Sequence, residues 1–291
     1  MNTILKNGVA MAEIKKAGAE IVSFKRLEDG TEYMWNGDET FWPSHAPVLF
    51  PIVCAVVNGE IRVDGKTYQI GNHGFAKWSE FELVEESGTK AVFKLTYNEE
   101  TLTKYPFKFD LFITYTLVEN KLEVKYKVDN IDDKDIYFQI GTHPGFNCPL
   151  DKDTQFEDYY LEFEKEETLE RFFMDKTNVV ISGKSDTLIK DSKILPLTHE
   201  LFYDGALVFK NINSSKVTLK SKKSAKNVVL SYENLPTMGI WQPKNAPFVC
   251  IEPWYGLADT DDYTGEFKDR DRMIHLKRDE SFECLHVIEM N

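Results

Sequence analysis

Nine consecutive residues, Lys121-Leu122-Glu123-Val124-Lys125-Tyr126-Lys127-Val128-Asp129, alternate polar and apolar without a miss. A period of two fits a strand with one wet and one buried face. Phe107 to Val118, rich in aromatic and β-branched residues, precedes this run, and Glu119-Asn120 between them reads as a tight turn. A long antiparallel hairpin is therefore predicted. The signal recurs along the chain. Asp29-Gly30 separates Glu20–Leu27 from Thr31–Trp35, Asp64-Gly65 separates Ile61–Val63 from Lys66–Ile70, and Asn58-Gly59 marks a further turn. Such dipeptides supply the positive φ that tight hairpins need. Lys216–Lys220 and Asn227–Tyr232 flank a basic loop, Ser221 to Lys226, which reads as a solvated hairpin tip. Helical spacing is confined to Leu197–Asp204, capped by Thr198, and to one turn within Asp151–Tyr160. Without strands alternating with long helices, a parallel α/β sheet is excluded. The expected fold is all-β: one large antiparallel β-sandwich with few short helices. No linker, composition break or repeat divides residues 1–291, so a single domain is expected.

Composition narrows the function classes. With 20 Phe, 13 Tyr and 5 Trp the chain has ample core material, which rules out intrinsic disorder. Its longest apolar stretch, Ala46 to Val57, is interrupted by Pro47 and Pro51 and falls short of the ~20 residues a bilayer requires, so no membrane span is expected. Lys plus Arg number 35 against 48 Asp plus Glu, a net charge of −13. Such a surface gains nothing from phosphate counterion release, so nucleic acid is not an expected partner. It also argues against polyanionic substrates in the absence of a local basic pocket. The cysteines Cys54, Cys148, Cys250 and Cys284 have neither zinc-site nor redox spacing. Met1 to Ala10 lacks the pattern of a secretory leader. A cytoplasmic protein with reduced thiols is expected.

Three segments break the strand rhythm, each joining a titratable residue to turn formers and aromatics: Gly71–Trp78, Gly141–Asn147 and Phe248–Gly256. Glu252 follows four apolar residues and precedes Pro253-Trp254-Tyr255. Partial desolvation there would raise its pKa into the range useful for proton transfer. The alternative is a carboxylate capping backbone at a strand end. His143 follows the strand-like run Ile136–Ile140, and Pro144 forces an extended backbone upon it. It is a candidate general acid, or else a satisfied structural histidine. His73, between Asn72 and Gly74, poses the same choice. His275 and His286 lie in strand-like runs and read as structural, His199 reads as solvated, and His45 could line a pocket. His73, His143 and Glu252 could in principle form a two-histidine-one-carboxylate metal set. No close His-x-His pair supports that reading, so neither metal nor cofactor is expected.

Taken together, His73-Gly74-Phe75-Ala76, Thr142-His143-Pro144-Gly145-Phe146 and Ile251-Glu252-Pro253-Trp254, in that order and widely separated, resemble the aldose 1-epimerases, or galactose mutarotases. Ala46-Pro47-Val48-Leu49-Phe50-Pro51 resembles their shorter bacterial branch that accompanies lactose genes. The resemblance runs nearly end to end. It implies the β-sandwich fold, with a site in a surface cleft, and a reaction that interconverts the α and β anomers of a free hexose such as galactose or glucose. By the same resemblance Glu252 is the general base, His143 the general acid, and His73 a hydrogen-bond partner of the ring oxygen or a nearby hydroxyl. Asp204 matches an aspartate that binds sugar hydroxyls. Phe75, Phe146, Trp78 and Trp254 could offer apolar faces to sugar C–H groups or serve as core. Two positions depart from the family pattern. Lys77 stands where relatives carry Arg after His-Gly-Phe-Ala, and Cys54-Ala55 stands where the branch carries Gly-Arg. Lysine keeps the charge but loses the bidentate fork. The departures motivate a second reading, a non-catalytic carbohydrate-binding module on the same scaffold. A monomer or a homodimer fits either reading.

Overall fold

The computed structural model describes residues 2–291. The predicted hairpin forms as Phe109–Val118 and Lys121–Asn130, paired in register from Lys121↔Val118 to Asn130↔Phe109. Leu122, Val124, Tyr126 and Val128 are all buried, so the polar–apolar alternation becomes an inside–outside alternation. Burial of the two valines and the leucine contributes roughly 5–9 kcal/mol gross, before chain entropy is set against it. Glu119 takes φ +52 at the turn. The pair Ile61/Val63 and its return across Asp64-Gly65 also form as expected, as Glu60–Val63 and Lys66–Gln69. Lys216–Ser221 and Val228–Glu233 pair across the basic loop.

These hairpins belong to a 15-stranded sheet whose path runs from Glu82–Glu86 at one edge to Val48–Leu49 at the other. All its ladders are antiparallel. A three-stranded sheet, Thr3–Lys6, Ala10–Lys15 and Glu20–Arg26, is separate from it. With about 51% strand and 8% helix, the molecule is the large antiparallel β-sandwich expected. All four cysteines are free and buried. Among the described residues no helix is long and apolar enough to cross a membrane.

Three features differ from the sequence expectations. After Asp29-Gly30 the chain bridges back only at Lys25↔Glu32, so Thr31–Trp35 does not form a full strand. A helix at Glu99–Lys104 went unpredicted. It is too short for visible periodicity and depends on its cap: the Asn98 side chain accepts from Thr101 N–H (2.9 Å) while the Thr101 hydroxyl accepts from Asn98 N–H (2.8 Å). The third is the longest hairpin, Tyr159–Met174 with Val180–Pro196. Its second strand, Val180–Pro196, is largely exposed on both faces, and in its first, Tyr159–Met174, the buried face runs Tyr159, Leu161, Phe163, Glu167 and Leu169, where a charged residue breaks the apolar period of two. Its turn is tied by Asp175 Oδ1, which accepts from the N–H and hydroxyl of Thr177 (2.7 Å each). Val180 N–H then donates to Asp259 O (2.8 Å), which pins the hairpin beside the loop that follows Phe248–Tyr255.

Candidate active site

Phe248–Tyr255 is a central strand, paired with Thr237–Trp241 on one side and with Gly145–Asn147 and Ile140–Thr142 on the other. Cys250, Glu252 and Trp254 alternate along it and share one face. Trp254 is 1% exposed, and its ring lies directly over Gly239 and Gly141. A Cβ at either glycine would sit 2.3 or 2.5 Å from the indole. The two glycines are therefore what lets the tryptophan lie flat beside Glu252.

His143 occupies the break between Ile140–Thr142 and Gly145–Asn147, with its N–H donating to Pro47 O (3.1 Å). Its Nε2 lies 3.2 Å from Glu252 Oε2, so residues far apart in the chain meet across one ladder. Trp42 covers the imidazole at 4.9 Å between centroids and Trp241 meets it edge-on at 5.6 Å. Burial pushes the Glu252 carboxyl well above the ordinary carboxylate range and the His143 imidazole down to about 3. Both shifts have the same cause, loss of water around the charged form. Burial thus favours the uncharged form of each group.

His73 stands perpendicular to His143, with ring centroids 5.5 Å apart. Its own N–H donates to Cys54 O (2.8 Å), and its Nδ1 accepts from Cys54 N–H (3.0 Å). An Nδ1 that accepts leaves the neutral ring's proton on Nε2, so His73 can serve as a donor through that atom. Burial holds this imidazole well below its usual pKa, with further depression from His143 and Lys77. Lys77 is half-buried, with its ammonium 5.3 Å from the Trp78 ring centroid, and burial lowers its pKa as well.

His73, Lys77, His143, Glu252 and Trp254 line one cavity of about 220 Å³. That is smaller than the roughly 300–1,000 Å³ of sites for drug-sized ligands, and suits a small polar molecule. Three expected wall residues are elsewhere. Phe146 pairs with Val249, whose side chain faces away from Cys250 and Glu252, so its ring enters the core. Phe75 packs against Phe50 and Tyr105 in the same core. Asp204 sits exposed in the turn after His199–Phe202, outside the cavity wall, and only Ala206 of that segment reaches it. Trp78 is 73% exposed, and His45 lies off the wall, near Glu20. Ala55 is buried behind the site, its carbonyl accepting from Asp259 N–H (3.1 Å). Asp259 also accepts from Val57 N–H (3.0 Å) and pairs with buried Arg270, which fastens the segment that carries Cys54.

The wall also contains residues that the sequence did not single out. Trp42 and Ser44 come from an irregular loop, and Met174 and Asn178 from the end of the long hairpin. Trp241 ends a strand. The Trp-Pro and Trp-Gln-Pro contexts of the two tryptophans are the only cue that either ring leaves the sheet. As for metal, among the described residues the ligating atoms that lie within 4.8 Å of one another belong to His143, Cys250 and Glu252 rather than to two histidines and a carboxylate. Burial raises the Cys250 thiol well above its usual pKa, which disfavours the thiolate such a site would use.

The aldose 1-epimerase family model matches residues 2–269. The chain belongs to the aldose 1-epimerase family. It is 32% identical over 272 residues to the chromosomal LacX protein of Lactococcus lactis subsp. lactis, covering 89% of each chain. A galactose mutarotase related enzyme from Lactobacillus acidophilus superposes with a TM-score of 0.95 at 36% identity, covering 100% of this chain and 97% of that one. A galactose mutarotase-like protein from Lactobacillus casei gives 0.94 at 32% identity, with 100% of both chains covered. In this aldose 1-epimerase family member, then, two of the three segments identified from sequence supply the buried pair and the third supplies its imidazole neighbour.

Proposed function

We propose that the chain is an aldose 1-epimerase-like isomerase that interconverts the α and β anomers of a free hexose, galactose or glucose, in the cytoplasm. The observation that carries this reading is the 3.2 Å contact between His143 Nε2 and Glu252 Oε2 at the wall of the cavity. Hemiacetal opening removes a proton from the C1 hydroxyl and delivers one to the ring oxygen. Both oxygens are bonded to C1, so the base and the acid must stand within a few ångströms of each other. Glu252 is the base and His143 the acid. Their working forms, carboxylate and imidazolium, carry the same total charge as the neutral pair. Activation therefore needs a proton shift across the contact rather than uptake from solvent. Sugar hydroxyls supply hydrogen bonds that favour the charged forms. His73 donates from Nε2 to the ring oxygen or a neighbouring hydroxyl. Lys77 binds a hydroxyl, and Trp254 presents an apolar surface to C–H groups. After ring opening, rotation about the C1–C2 bond exposes the other face of the aldehyde, and the two groups exchange roles on closure. Each positioned proton transfer typically contributes 10²–10⁴-fold.

Polarimetry on freshly dissolved α-galactose and α-glucose tests the reading, with calorimetry on the same sugars. Acceleration by the wild type that is lost in Glu252→Gln supports it. Sugar binding without acceleration would establish a carbohydrate-binding module in place of the isomerase.

A further inference from the structure

Glu20 belongs to the separate three-stranded sheet and lies off the cavity wall, yet the backbone that holds His143 is anchored on its carboxyl. The anchoring segment is His45–Leu49, which runs antiparallel to Gly141–Gly145. Leu49 and Val48 pair with Gly141 and Thr142, Pro47 O accepts from His143 N–H (3.1 Å), and His45 O accepts from Gly145 N–H (2.8 Å). Val48–Leu49 is an edge of the large sheet, so no further strand of that sheet supports the segment from outside. Glu20 does so instead. Its Oε1 accepts from both His45 N–H (2.6 Å) and Ala46 N–H (2.9 Å), and its Oε2 is paired with Lys15. The carboxyl is buried, at 2% exposure. The fit on the His143 side has no slack, because a Cβ at Gly145 would lie 3.3 Å from His45 O and from the Trp42 ring. Trp42 and Ser44, on the cavity wall, directly precede the anchored residues.

We propose that Glu20 is a positioning residue for His143: its carboxyl fixes the His45–Pro47 backbone, and through it the imidazole that stands 3.2 Å from Glu252. This rests on the isomerase reading, in which His143 is the acid. Burying a carboxyl costs free energy that the start of a strand does not by itself require. Here the group accepts two backbone donors at the one segment from which His143 hangs. Without that acceptor the two N–H groups lose their partner, and the segment shifts to find another. A misplacement of about 1 Å between reacting groups can cost about 10²-fold in rate.

The test measures kcat for galactose anomer interconversion by polarimetry, Kd for galactose by calorimetry, and thermal unfolding. Glu20→Ala should lower kcat by roughly 10–100-fold, a larger change than the weakening of Kd. Glu20→Gln keeps an oxygen acceptor for both N–H groups and should retain most of the wild-type kcat. Glu167→Ala is the control for lost stability alone. Glu167 is likewise a buried carboxyl that accepts backbone N–H, from Asn213 (3.0 Å) and Ser214 (2.7 Å), but off the cavity wall. Its loss should lower the unfolding temperature and leave kcat within about twofold of wild type. If Glu20→Ala does not fold, Glu20→Asp, which withdraws the acceptor by one methylene, takes its place, with kcat expected below that of Glu20→Gln. The assignment would be overturned by kcat within about twofold of wild type in folded Glu20→Ala, by Glu20→Gln as slow as the Ala or Asp variant, or by an equal loss in Glu167→Ala. Each of these results leaves the isomerase reading intact. A wild type that interconverts neither galactose nor glucose would overturn both.

Discussion

His286 offers a quantitative test of how this fold handles buried imidazoles. It lies on Ser281–Met290, 0% exposed, stacked on Tyr126 with centroids 5.7 Å apart, and neither ring nitrogen has a hydrogen-bond partner among the described residues. Desolvation holds its pKa at about 3, against 6.5 for a solvated imidazole. The sign follows directly. Below the unfolded pKa the unfolded chain binds a proton that the native state refuses, so stability falls as pH drops. Between about pH 7.5 and about pH 5.5 the unfolded imidazole goes from about one-tenth to nine-tenths protonated, and this one residue costs about 1.4 kcal/mol. The figure depends little on the native value, provided that it stays well below 5. His143 and His73, also lowered by burial, add to the same trend, so a single variant must isolate the share of His286. His286→Leu removes the titration and both unpartnered nitrogens. Urea unfolding at the two pH values should show a pH-dependent loss smaller by about 1.4 kcal/mol in the variant than in wild type. Equal losses would refute the claim that His286 stays neutral in the folded state.

Further outcomes follow from the site. Glu252→Gln should lower kcat/KM by about 10²–10⁴-fold, measured by polarimetry, while calorimetry still detects sugar binding. Gly239→Ala would place a Cβ 2.3 Å from the Trp254 ring. It should destabilise the protein by about 1–3 kcal/mol and raise KM, read by urea unfolding and steady-state rates. Asp259→Asn weakens a buried pair with Arg270 and should lower stability by up to about 3–5 kcal/mol, again read by urea unfolding. Asp204→Ala, in an exposed turn off the cavity wall, should leave kcat/KM within about twofold of wild type, and a larger loss would bring that turn back into the site.

Where a segment has one buried face, its sequence announces the fold. Lys121–Asp129 is the plainest case, because each apolar position becomes a buried one. The long hairpin Tyr159–Met174/Val180–Pro196 was illegible because its second strand is largely exposed on both faces, and the buried face of its first strand includes the charged Glu167. In the site, His73, His143 and Glu252 were legible because each sits in a segment of turn formers and aromatics that breaks the strand rhythm, and the three segments together resemble one family. The aromatic wall was not. Phe75 and Phe146 stand beside the key histidines in sequence, yet strand parity turns Phe146 inward, and Phe75 packs against Phe50 and Tyr105. Trp42 and Trp241, remote from every motif, cover His143 instead. Sequence neighbours share a face only at even spacing, and residues brought together by a ladder leave no local mark.

The most direct test of the central claim is magnetisation transfer between the two anomeric protons of galactose at equilibrium, where neither net reaction nor product removal intervenes. Wild type should transfer saturation between the anomers faster than the uncatalysed solution, and Glu252→Gln and His143→Ala, both folded, should not. Transfer by either variant at the wild-type rate would contradict the assignment of proton handling to this pair.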